Sequence, residues 1–186
     1  MTTKELIDKS KTEMKRAVEF CKNQISKVRS GRATASLLDG ITFEYYGAPT
    51  PLAQGASISV PDARTIIVQP FDRTALSNIE KAIRMADLGF NPQNDGTIIR
   101  IPVPPLTEER RKEFVKMCKK FAEDGRIAVR NIRRDSNEAL KKMEKNKECS
   151  EDERKRAEDE IQKITDNSIK EIDEFLANKE KELMDN

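Results

Sequence analysis

The sequence predicts an α+β protein of two domains, an elongated antiparallel three-helix bundle with a small, β-rich α/β domain inserted into it. Three observations carry that expectation. Long helix-period stretches occupy both ends of the chain. All eight prolines and six of the seven glycines fall between residues 31 and 105, where the helical period stops. The opening stretch and the two closing ones are each too narrow on their apolar side to stand alone, so they must pack together. The boundaries expected are 1–30 and 106–186 for the bundle and 31–105 for the insertion. The joints fall at 30–32 and 103–106, where Ser30, Gly31, Pro104 and Pro105 are the hinge candidates.

The longest helix is expected from Thr107 to about Asn146. Pro104 and Pro105 stop anything upstream. Thr107 suits the N-cap, and Glu108 and Glu109 face the positive end of the helix dipole. Phe114, Cys118, Phe121, Gly125, Ala128, Ile132, Ala139 and Met143 form a seam spaced by threes and fours, with one polar slot near Asp135 and Ser136. At 1.5 Å per residue this helix is about 60 Å long, a rod that needs partners.

Its other face is basic. Lys112, Lys119, Arg126, Arg130, Arg133, Asn137 and Lys141 share a sector away from the seam. Between Gly125 and Arg134 there are four arginines and no acid. A charge run is commonly just a solvated face. Arginine without counter-charge at i,i+4 also fits a phosphate backbone, and spacing leaves both readings open.

The first helix is expected over residues 2–30, opened by a Thr2–Glu5 capping box and closed by Gly31 in the left-handed region. Ile7, Ser10, Met14, Ala17, Cys21, Gln24 and Val28 supply its seam. In the insertion, a short helix or turn spans Ala33 to Leu38. Strands are expected at 41–46, 57–60, 65–69 and 96–103, with a turn at 47–51 and an amphipathic helix from Arg73 to Asp87. The last helix runs from Ser150 to about Met184, with a Ser150–Glu153 capping box. Its inner face is Ala157, Ile161, Ile164, Ser168, Ile172, Phe175 and Leu183.

Charge is segregated. Residues 110–142 carry twelve Lys or Arg against five Asp or Glu, whereas residues 144–186 carry nine against fifteen. One side suits a polyanion, the other solvent or a basic partner. The chain has no histidine, which removes Ser-His-Asp and Cys-His chemistry and the commonest metal ligand. No phosphate-binding glycine loop or metalloprotease motif appears. No enzyme activity, cofactor, metal or small-molecule substrate is expected. Nor is a membrane span, because no apolar run is long enough. The N-terminus lacks a signal core, which points to the cytoplasm. Cys21 and Cys118 read as reduced core residues, and Cys149 has no assigned role.

Four segments carry a resemblance: Val28-Arg29-Ser30-Gly31-Arg32-Ala33, Glu44-Tyr45-Tyr46-Gly47, 104–111 (Pro-Pro-Leu-Thr-Glu-Glu-Arg-Arg) and Arg130-Asn131-Ile132-Arg133-Arg134-Asp135. Together they resemble the ribosome recycling factor family, over the whole chain and with the insertion at the same point. The resemblance implies an L-shaped monomer that binds large-subunit ribosomal RNA in the post-termination ribosome. It further implies that elongation factor G, with GTP, acts with it to split the subunits and release the mRNA. By position it implies ribosome contact or activity for Arg29, Arg32, Arg110, Arg130, Arg133 and Arg134, to which the basic ridge adds Arg126. Arg29 and Arg110 have an alternative as salt bridges that pin the hinge. Tyr45 and Tyr46 are expected to pack the small domain. A stand-alone RNA-binding bundle is the rival, but a simple binder has no need of an insertion on a hinge.

Overall fold

A computed structural model describes residues 1–185. The chain forms two compact units, one of residues 1–30 and 108–185, the other of residues 31–107.

The first unit is a bundle of three helices: α1 (Thr3–Ser26), α4 (Glu108–Lys145) and α5 (Glu151–Met184). Both expected capping boxes are present, Thr2 with Glu5 and Ser150 with Glu153, so each helix start satisfies two orphan amides. α4 runs antiparallel to α1, because Ser10 meets Ser136 while Cys21 meets the Phe121 carbonyl. α5 runs parallel to α1, with Met14 at Thr165 and Lys22 paired to Glu171.

The seam on α4 lies one step round from the one expected. Cys118, Ala122, Gly125, Val129, Ser136, Leu140 and Met143 are buried, while Phe114, Phe121, Ala128, Ile132 and Ala139 are half-buried. The helix has two partners, so its most buried line points between them, and the expected seam is the flank of that line. α5 shows the same shift, with Thr165 and Leu176 buried and Ile164 and Phe175 half-buried. The polar slot is Ser136 alone. Its hydroxyl lies 2.6 Å from that of Ser10, and each also lies 2.8 Å from the carbonyl four residues back; with one proton apiece, one hydroxyl donates to its own helix while the other donates across the pair. Gly125 permits the closest approach of α1 to α4, since a Cβ there would stand 2.7 Å from the Cys21 sulfur.

α1 ends at Ser26, with Lys27 as its C-cap, four residues before the expected stop. Gly31 therefore does not cap it. Gly31 sits at φ +80°, where a Cβ would lie 2.8 Å from Leu106 Cγ. Its left-handed backbone lets the entry and exit segments of the second unit touch.

In that second unit, β1 (Thr42–Tyr45) and β2 (Ala48–Pro51) form a hairpin, followed by a single turn α2 (Leu52–Gly55). The hairpin replaces the expected turn at 47–51. Tyr46 and Gly47, at φ +47° and +79°, form the two-residue turn that matches strand twist, so the prolines after it lie in a strand. A second sheet holds β3 (Ala56–Asp62), β4 (Thr65–Pro70), β5 (Gln93–Asn94) and β6 (Ile99–Pro102), in the order β3-β4-β6-β5 with every pair antiparallel. β5 was not expected, and β6 is shorter than the 96–103 strand, because Gly96 and its neighbours form a turn held by the Asp95 carboxylate. Helical turns flank this region at Ala35–Leu38 and Arg73–Ala75, and α3 runs Leu76–Met85. Ile66, Val68, Ile79, Ile99 and Ile101 are fully buried at the centre of the unit's apolar core.

Candidate nucleic-acid interface

The basic residues singled out on α4 do not form one uniform ridge. Arg126 is a clamp between helices. Its Nε donates to Asp173 Oδ1 on α5 at 2.8 Å, and its Nη1 donates to Glu123 Oε2 at 2.9 Å. Only 20% of its side chain is exposed. Burial pulls its pKa down, but the bonds to Asp173 and Glu123 outweigh that and hold it above the ordinary arginine value. The acid-free window from 125 to 134 misled here. Glu123 stands just outside it, and Asp173 arrives from another helix.

Arg133 is half-buried, not on the exposed face. Its Nη1 donates to Gln162 Oε1 on α5 at 3.0 Å, and Gln162 in turn donates to Asp166. Its Nε is buried without a partner, as is Asn137 Oδ1 one turn further on. Arg130 is 47% exposed and meets Glu123 only at 3.6 Å, a separation that gives little stability at a surface. Arg134 is exposed, and no hydrogen bond or ion pair engages it among the described residues.

The outermost line of α4 joins Arg134, already named from the sequence, to three lysines not named there. At about 100° per residue, Lys116, Lys120, Arg134 and Lys145 cluster opposite the buried line. All four are exposed. Ile127 sits among them, 46% exposed. The signal was present as i, i+4 and i+7 spacing, but counting from the wrong seam rotated the expected ridge toward α5. Of that expected ridge, Lys112 pairs with Glu108 within α4 at 3.2 Å and Lys119 meets Glu180 of α5 at 4.0 Å.

Arg110 is exposed and pairs with Glu113 at 3.1 Å. Arg29 is exposed at the end of the bundle unit, while the neighbouring Ser30 is buried. Arg32 is exposed and belongs to the second unit, as do Gly31, Pro104 and Pro105. Tyr45 packs as expected, edge-on to Phe43 at 6.0 Å, and its hydroxyl donates to Asp72. Tyr46 does not pack in the core; it is 84% exposed.

Nothing here is tuned for covalent chemistry. Burial pushes the Cys21 and Cys118 thiols up, toward the protonated, unreactive form. No cluster of three His, Cys, Asp or Glu fit for a metal occurs among the described residues. None of their helices is long and apolar enough to cross a membrane. What the outer line offers is a net positive charge on a stiff helix, four Lys or Arg against Glu109 and Glu138, which suits phosphate oxygens.

Comparison with known proteins gives the family. A family model described as "Ribosome recycling factor" matches residues 21–184. The ribosome-recycling factor of Nitratidesulfovibrio vulgaris is 56% identical over 172 residues, covering 92% of each chain. That of Bacillus licheniformis is 53% identical over 181 residues, covering 97% of this chain and 98% of the relative. A solution structure of a ribosome recycling factor aligns with TM-score 0.76 at 42% identity, covering 99% of this chain and 98% of that one. A structure of the T. thermophilus factor, placed with E. coli elongation factor G on the E. coli post-termination complex, aligns with TM-score 0.63 at 49% identity over 98% of this chain and 99% of that one.

Proposed function

The chain belongs to the ribosome recycling factor family, and from that premise we propose that its bundle anchors on large-subunit ribosomal RNA while its inserted unit takes a displacement from elongation factor G. It acts in the cytoplasm as a non-enzymatic translation factor. Elongation factor G hydrolyses the GTP, and this chain supplies a rigid body and a joint. Binding at the post-termination ribosome followed by that displacement splits the subunits and frees the mRNA.

The observation that carries the anchor is the outer line of α4, where Arg134, Lys116 and Lys120 are exposed and engaged by no carboxylate. Arg130 joins them because its pairing with Glu123 is long enough for a phosphate to displace it. Arg126 and Arg133 support the face from behind by tying α4 to α5. Arg29, Arg32 and Arg110 extend the contact near the joint. Ser30, Gly31, Pro104 and Pro105 form the hinge, since only two short segments connect the units.

The test pairs an anchor variant with a hinge variant. Arg134→Ala is expected to leave the melting midpoint nearly unchanged and to weaken ribosome binding by about 1–3 kcal/mol. It also lowers the slope of log affinity against log salt by about one. Gly31→Val keeps most of the binding and loses factor-dependent splitting, because a β-branched residue disfavours φ +80° and meets Leu106. Normal binding by Arg134→Ala, or flat affinity as potassium chloride rises, removes the anchor. Joint loss of binding and splitting in Gly31→Val removes the division of labour. A stand-alone RNA-binding bundle predicts no effect of elongation factor G and GTP on splitting.

A further inference from the structure

The inserted unit carries a groove of about 570 Å³ between β1 and α3, bounded by residues 39–44 on one side and by Asn78, Ala82, Met85 and Leu88 on the other. β1 has a strand neighbour on one edge only, since its sheet consists of β1 and β2. Pro51 and Pro49 stand opposite Thr42 and Glu44. A proline has no N–H to give, so these are the non-hydrogen-bonded pairs of the ladder. The amides and carbonyls of Thr42 and Glu44 therefore point away from β2, into the groove. The Asn78 side chain marks that direction, donating to the Glu44 carbonyl at 3.0 Å.

The two edges of the hairpin are treated differently. The outer edge of β2 is blocked by its own prolines, a common defence against unwanted strand pairing. β1 carries no proline; Asn78 caps the Glu44 carbonyl and leaves the Glu44 amide and both backbone groups of Thr42 on that edge. The wall beside it mixes Ala82, Met85, Ala86 and Leu88 with Asn78 and Lys81, and Met85 is 75% exposed on it. The charged groups lining the groove are Asp39, Glu44 and Lys81, two carboxylates against one ammonium. The unit as a whole, residues 31–107, carries seven Asp or Glu against six Lys or Arg.

We propose that the free edge of β1 accepts an extended, cationic segment of a partner protein as an added strand. Thr42 exchanges backbone hydrogen bonds with it, Glu44 donates its amide, and alternate side chains of the segment settle on Ala82 and Met85. Its Lys or Arg residues lie near Asp39 and Glu44. A nucleic-acid strand offers no matching amide ladder and brings phosphates to carboxylates. The groove lies wholly within the inserted unit and shares no residue with the anchor on the bundle.

The experiment titrates a capped Arg-Val-Arg-Val-Arg-Val peptide into the ¹⁵N-labelled full chain, beside its Glu-Val counterpart and a hexauridine RNA. The basic peptide is expected to shift amides of residues 39–44 and 78–88 and to slow exchange at Thr42 and Glu44. The acidic peptide binds about tenfold more weakly, the RNA not at all in the groove. Met85→Arg, a surface change that leaves the fold intact, weakens the basic peptide about fivefold. Thr42→Pro does the same by removing one outward amide while leaving the groove's charges and the bonds to β2. Equal binding of both peptides, shifts confined to the acidic face of α5, occupancy of the groove by RNA, or no shift at millimolar peptide each overturns the proposal.

Discussion

The two units are held together by different means. Among the described residues, the buried polar ones, Ser10, Ser30, Ser136, Thr165 and Ser168, belong to the bundle, while the core cluster of the inserted unit is apolar. The bundle is a rod whose helices could slide along one another. A buried hydroxyl pair and a glycine at the crossing favour the one register in which the two hydroxyls meet and the backbones approach. The inserted unit is a block with strands fixed by hairpins, so its apolar side chains serve compactness alone. Polar cores thus appear where register is the problem to be solved.

The largest effect that would sharpen this comparison is expected in the block. Ile66→Ala empties a fully buried site and costs about 2–5 kcal/mol. Two transitions in calorimetry, with the α4 amides still protected after the first, would show that the units melt separately. A single shared transition would break the comparison. Next comes the rod. Gly125→Val drives a side chain against Cys21 and separates α1 from α4, at about 1–3 kcal/mol. Here the loss should appear in the bundle transition only.

A smaller effect tests the hydroxyl pair. Because Ser10 and Ser136 each also lie 2.8 Å from a carbonyl of their own helix, either Ser→Ala change should cost about 1 kcal/mol. The double change should cost less than the two singles added, since neither hydroxyl is then left without its mate. Strict additivity in denaturant midpoints would show that the pair does not set register.

The smallest effect is a pH dependence in the block. Bonds from the Thr74 hydroxyl first, then Tyr45, hold the Asp72 carboxyl below its ordinary value. That stability is present above the ordinary carboxylate range and is lost as pH falls through the lowered value. The bond to Asp72 pushes Tyr45 up to about 12. Its contribution is complete below the ordinary tyrosine value and is lost as pH rises through about 12. In melting curves, Tyr45→Phe should abolish the alkaline difference and only reduce the acidic one, because Thr74 still holds Asp72.

The sequence by itself determined the architecture. Helical period, capping boxes and the confinement of prolines and glycines are local features, and local features decide where helices start, where they stop and where a different fold is inserted. It also determined the family, through residues near Gly31, Pro104 and Arg130. Only the tertiary structure decided which arginines are available. Arg126 and Arg130 look alike in one dimension, yet Asp173 and Glu123 grip the first far more tightly than Glu123 grips the second. That choice depends on a carboxylate 47 residues away and on the rotation of α4 between two partners. Spacing along one helix cannot encode where a third helix will lie, and a shift of one position is enough to turn an exposed ridge into an interhelical clamp.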